Sequence, residues 1–163
     1  MKRAACRSLA LCLSLVALLP GCAAKTEPRA WIESSEASHR EADRLAASGD
    51  TEGAVNALRR AATRAAPAEM GEGDARAVRQ DLFYRLATAE LSGSHPREAV
   101  EAATEGLALG RSRDVFTANL LVARGQAHEA LGDRKSASTD YHDALMVSEA
   151  LLDTALGGSG GGP

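Results

Sequence analysis

The chain has 163 residues, 45% of them apolar and only 3% aromatic, with a formal net charge of −3. That length suits one ordinary domain, and the acidic balance excludes a basic stripe of the kind that attracts nucleic acid. Alanine is abundant and β-branched residues are few, a composition that predicts an all-helical fold.

Lys2, Arg3 and Arg7 precede an apolar run of eleven residues, Leu9 to Leu19. So short a run does not span a bilayer, but it suits the apolar centre of a signal peptide. Leu19-Pro20-Gly21-Cys22 follows, and this segment resembles the lipobox of bacterial lipoproteins. The resemblance implies that residues 1–21 are removed as a signal peptide and that Cys22 carries covalent lipid. Residues 22–27 would then be the lipidated cysteine and a short tether. Each buried methylene contributes about 0.8 kcal/mol, so the several acyl chains of such a cysteine make a stable anchor. Ala23 follows the cysteine, where an aspartate would resemble an inner-membrane retention signal. By that resemblance the protein sits in the outer membrane, facing the periplasm. Ordinary cleavage after Ala24 is the alternative, and it would release a soluble protein; an uncleaved anchor is disfavoured by the short run. Without the leader, 142 residues remain, with 16 basic against 22 acidic. Cys6 and Cys12 leave with it, so neither a disulfide nor a paired-cysteine metal site is expected.

The helical signals then run in chain order. Pro28 suits the first turn of a helix, with Thr26 upstream; Trp31, Ser35, Ser38, Ala42 and Leu45 share one face of it. Trp31 is expected to cover the open end. Asp50 is placed to cap a second helix ending before Pro67. A connector around Gly71-Glu72-Gly73 leads to Asp74, the expected cap of a third helix carrying Val78, Leu82, Leu86 and Ala89. Pro96 opens a fourth, which Gly110 can end. Asp114 caps a fifth that stops at Gly132. Asp133 caps a sixth that can run to about Leu156. The later face of that last helix, Leu145, Ser148, Leu151 and Leu152, has no successor; folding back as a cap is the expectation. Residues 157–163 read as a flexible Gly-rich tail.

One spacing recurs three times. Ala42, Ala54, Leu58 and Ala61 are separated by the same intervals as Ala87, Ala99, Ala103 and Gly106, and as Gly125, Ala137, Tyr141 and Ala144. A turn lies inside each set: Gly49-Asp50, Ser94-His95-Pro96 and Gly132-Asp133. The pattern resembles the tetratricopeptide repeat (TPR) family, which places small residues where two helices cross. The third unit matches best, through Leu121, Gly125, His128, Gly132, Ala137, Tyr141 and Ala144. The first matches least, because Ser38 and Glu41 stand where large apolar residues are usual. The resemblance implies an all-α fold of about three TPR-like helical hairpins, stacked as a short right-handed superhelix over residues 28–156. A plain helical bundle with coincident alanines is the competing reading.

No Gly-rich phosphate loop, paired-cysteine site or nucleophile elbow is present. His128 is expected to pack on the inner face of the fifth helix and His95 to serve its turn, while Asp140 and Asp143 read as a solvated pair of carboxylates. The chain is therefore not expected to be an enzyme, nor to hold a metal or any cofactor other than lipid on Cys22. Surface recognition remains. The resemblance places a concave partner-binding face on His39, Asp43, Asp81, Tyr84, Thr88, Asn119, Val122 and Gln126. The acidic groups among them favour a neutral or basic peptide over a carboxylate clamp. The expected function is that of a membrane-anchored, non-enzymatic adaptor for an envelope protein or peptide segment, resembling pilotins or scaffolds of cell-wall enzymes. Two alternatives stay open: a structural lipoprotein that self-assembles through its last helix, and, less favoured, a small hydrolase or metal-binding protein.

Overall fold

A computed structural model describes residues 27–157. The leader, Cys22 and the tail beyond Gly157 lie outside the described residues. Six helices account for nearly all of them: α1 Pro28–Ala47, α2 Thr51–Ala62, α3 Glu72–Ser92, α4 Pro96–Ala108, α5 Val115–Ala130 and α6 Arg134–Ala155. The described part of the chain is all-α.

Local chemistry sets the boundaries. Asp50, Asp114 and Asp133 each accept a backbone N–H three residues on, from Gly53, Thr117 and Ser136 respectively. These bonds satisfy donors that a helix start leaves unpaired. Pro28 and Pro96 stand in the first turns of α1 and α4. One expectation is corrected here. Asp74 is not the cap of α3: the helix begins at Glu72 with Gly71 as N-cap, and Asp74 sits inside the first turn. The second helix ends at Ala62, before Pro67 as expected.

The three short turns share one geometry. Asp50 N–H donates to Leu45 O at 2.9 Å, His95 N–H to Glu90 O at 2.8 Å and Asp133 N–H to His128 O at 2.9 Å. Gly49, Ser94 and Gly132 precede those donors and donate to Ala46, Leu91 and Glu129. This double closure ends a helix through a left-handed residue. Gly49 and Gly132 supply it at φ 85° and 78°, but Ser94 adopts φ 62° with a side chain attached.

The turns fold the chain into three hairpins, α1–α2, α3–α4 and α5–α6. Consecutive helices pack on one another; α3 also packs on α5, whereas α1 barely touches α3. Every member of the recurring small-residue set is buried except Tyr141, which is half-buried. Close approach explains the glycines. A Cβ at Gly106 would stand 2.7 Å from Leu120 Cδ2 and 2.8 Å from Phe83 Cβ; at Gly125 it would stand 2.7 Å from the Tyr141 ring. Long-range polar ties join the helices. Arg59 bonds Glu90 at 2.7 Å, and Arg124 grips Asp140 with two bonds of 2.6 and 2.9 Å. The Gln80 amide donates to the carbonyls of Gly106 and Gly110. Trp31 is buried, with the Arg64 guanidinium 5.6 Å from its ring centroid.

The last helix departs from expectation. Among the described helices α6 packs on α5 alone, so its later half does not fold back over the stack. Leu151 is turned inward and half-buried, while Leu145 and Leu152 are open.

Candidate functional site

Phe83 and Leu86 are buried in α3, and the equivalent positions of α1 hold Ser38 and Glu41. Ser38 satisfies its hydroxyl on Ser34 O, and Glu41 pairs at the surface with Arg44. Both lie on the side of α1 that meets Ala57 and Ala61 of α2. On another side of α1, the first and third helices stand apart over α2 and leave a cleft of about 230 Å³. Ala42, Ala46, Ala54, Leu58 and Ala89 give it an apolar lining; His39, Asp43, Arg85, Thr88 and Ser92 form the polar rim.

His39 and Asp81 face one another beside the cleft. His39 Nε2 lies 3.6 Å from Asp81 Oδ2, and Arg85 Nε donates to the same oxygen at 3.1 Å. Burial, seconded by the Arg85 cation, lowers the His39 pKa against the pull of Asp81, Asp43 and Glu36. The imidazole is thus neutral near pH 7. Its Nε2 is buried and makes no hydrogen bond. The hydroxyls of Thr88 and Ser92 donate to backbone carbonyls of their own helix, Arg85 O and Thr88 O. What they leave free are acceptor lone pairs. The cleft thus offers an apolar slot, two hydroxyl acceptors, a neutral imidazole and the carboxylate of Asp43.

The expected partner-binding residues divide. His39, Asp43 and Thr88 line this cleft, with Asp81 behind its rim. Tyr84 is half-buried against the core, Asn119 is half-buried on α5, and Val122 and Gln126 are exposed there. None of those four lines the cleft. Sequence reasoning missed Arg85, whose spacing of four from Asp81 was the available signal. Its cation sits on Asp81, so the rim is less anionic than His39, Asp43 and Asp81 alone suggest.

The other polar groups are structural ties. Asp140 is only 3% exposed, which corrects its reading as a solvated partner of Asp143: Asp140 faces Arg124, and Asp143 lies 3.7 Å from Arg111. His128 is half-buried between Asp133 and Asp140, 3.9 Å from each. The His95 ring makes no cap bond and contacts Glu90 at 3.2 Å instead. Among the described residues no group of three His, Cys, Asp or Glu is placed to hold a metal ion, and no helix is long and apolar enough to cross a membrane. No protein-family model matches the chain, and no curated protein matches it.

Proposed function

We propose that this chain is a TPR-like, membrane-anchored adaptor that holds a peptide segment of an envelope protein in the cleft between α1 and α3. Cys22 would carry the lipid anchor in the outer membrane, leaving the helical stack in the periplasm. The observation that carries the reading is the cleft itself: an apolar slot with a polar rim, held open between two first helices of a hairpin series. Three like turns and buried small-residue columns support the repeat reading, because each unit of a solenoid must bury its face on its neighbours. The resemblance of Leu19-Pro20-Gly21-Cys22 to a lipobox supports the anchor. The role is binding rather than catalysis. Supporting it, the carboxylates of Asp81, Glu90 and Asp140 are each paired with an arginine, Arg85, Arg59 and Arg124. Confinement at a membrane raises the effective concentration of a tethered partner, so a modest slot suffices.

The test fills the slot. Ala46 is exposed at the cleft edge, so Ala46→Trp blocks it without touching the core. An envelope protein co-purified after in-cell crosslinking with the parent chain should be lost with Ala46→Trp, at unchanged helicity and cell content. Equal recovery from both would remove the cleft from the account.

A further inference from the structure

The last hairpin exposes a face that the first two bury. Ala62 and Leu107 occupy equivalent positions near the ends of α2 and α4; they are 0% and 6% exposed. In each case the first helix of the following hairpin packs on that helix. The next equivalent position is Leu145, 55% exposed. The α6 helix continues well past the point where α4 stops, 22 residues against 13. Its overhang extends the face with Leu152 and Leu156, 58% and 67% exposed. Tyr141, Leu145, Ser148, Leu152 and Leu156 recur at intervals of three and four, which places them on one side of the helix.

We propose that this face docks a second copy of the same chain, with the two α6 helices antiparallel across a two-fold axis between Ser148 and Glu149. The row is self-complementary about that point. Leu145 of one copy meets Leu152 of the other, and Tyr141 meets Leu156. The opposite end of the stack offers no match. The outward row of α1 is Arg29, Glu33, Glu36, Arg40 and Arg44, all exposed, and Arg29–Glu33 and Arg40–Glu36 are paired among themselves. Head-to-tail stacking would strip water from these charges for no apolar return, whereas an isologous pairing closes on itself. Residues 141–156 span about 24 Å of helix roughly 10 Å wide. Two such strips cover roughly 500 Å², less than a strong interface buries, so the pairing rests on the high effective concentration that the proposed membrane anchor provides. Glu149 stands on the rim beside the axis, exposed, where solvent screens it from its copy. The contact is independent of the cleft, which lies at the other end of the stack.

The experiment is disulfide trapping of the full-length chain in the cells that make it. Ser148→Cys, beside the axis, should give a dimer of twice the chain mass under mild oxidation. Met146→Cys, 52% exposed but on another side of α6, should not. The parent chain, run alongside, reports any background from Cys6, Cys12 and Cys22. Adding Leu145→Glu and Leu152→Glu to the Ser148→Cys chain should lower the dimer about tenfold or more, each 1.4 kcal/mol of lost contact being a factor of ten, with helicity unchanged by circular dichroism. Four results would overturn the proposal: no dimer from Ser148→Cys, equal dimer from Met146→Cys, a dimer that survives both glutamates, or a Ser148→Cys adduct to a different protein.

Discussion

His39 is the residue whose chemistry most depends on its surroundings. Its pKa is lowered, first by burial and then by Arg85, so the folded chain binds fewer protons there than the unfolded chain does. Stability from this group is present above the ordinary histidine pKa of about 6.5 and is lost as pH falls through it. Denaturant midpoints should therefore decline from pH 7 to pH 5, and His39→Gln should flatten that decline; an unchanged slope would show that His39 does not titrate as described. The Arg124–Asp140 pair makes a second prediction. The Asp140 side chain is 4% exposed and that of Arg124 19%. Arg124→Leu strands a buried carboxylate and should cost about 3–5 kcal/mol. The double variant Arg124→Leu/Asp140→Leu should recover most of it in equilibrium unfolding. At this scale the sequence is legible where a contact is local. Asp50, Asp114 and Asp133 cap the helices that begin beside them, because cap and donor are three residues apart. The Glu90 and Asp140 ties were not legible. Their arginines lie 31 and 16 residues away, and only the packing of whole helices brings them together.

Turns and crossings are the elements most open to test. Ser94 takes the left-handed conformation that Gly49 and Gly132 take in the equivalent turns, at a cost that glycine would not bear. Ser94→Gly should stabilise the protein by about 1 kcal/mol, read from a shifted denaturation midpoint. Gly125 meets the Tyr141 ring. Gly125→Ala gains helix propensity of about 1 kcal/mol but overpacks the crossing by about 1–3 kcal/mol. The net should be a loss, and the double variant Gly125→Ala/Tyr141→Leu should reverse its sign. Helix existence and order were readable from periodicity and caps. Two features were not. The start of α3 falls at Gly71, since Glu72, Gly73 and Asp74 carry competing start signals within one turn. The overhang of α6 is helical through propensity and an apolar row that continues past the hairpin, and nothing local says whether that row turns back or stays open.

For the whole molecule, the small-residue columns forecast which positions are buried, yet not the gap between α1 and α3. The residues that face one another across that gap, His39, Asp43 and Ala46 on α1 and Arg85, Thr88 and Ser92 on α3, are small or polar and form no motif that marks a cleft. If the three hairpins are the solenoid repeats proposed above, they are near the lower limit for independent stability. The isolated chain should accordingly unfold at a low denaturant midpoint, and a high one would contradict this. If Cys22 anchors the chain, mass spectrometry of the mature protein will find its N-terminal residue acylated and the leader gone, and Cys22→Ser will release the protein from membranes; an unmodified N-terminus after Ala24 would replace the anchor with a soluble form.

The most direct measurement on the adaptor claim is site-specific photocrosslinking in living cells. A photoreactive amino acid at Ala46, on the edge of the cleft, is compared with one at Arg40, exposed on another side of the same helix. A discrete adduct with an envelope protein is expected from position 46 and none from position 40. No adduct at 46, or the same adducts from both positions, would rule out the adaptor role of the cleft.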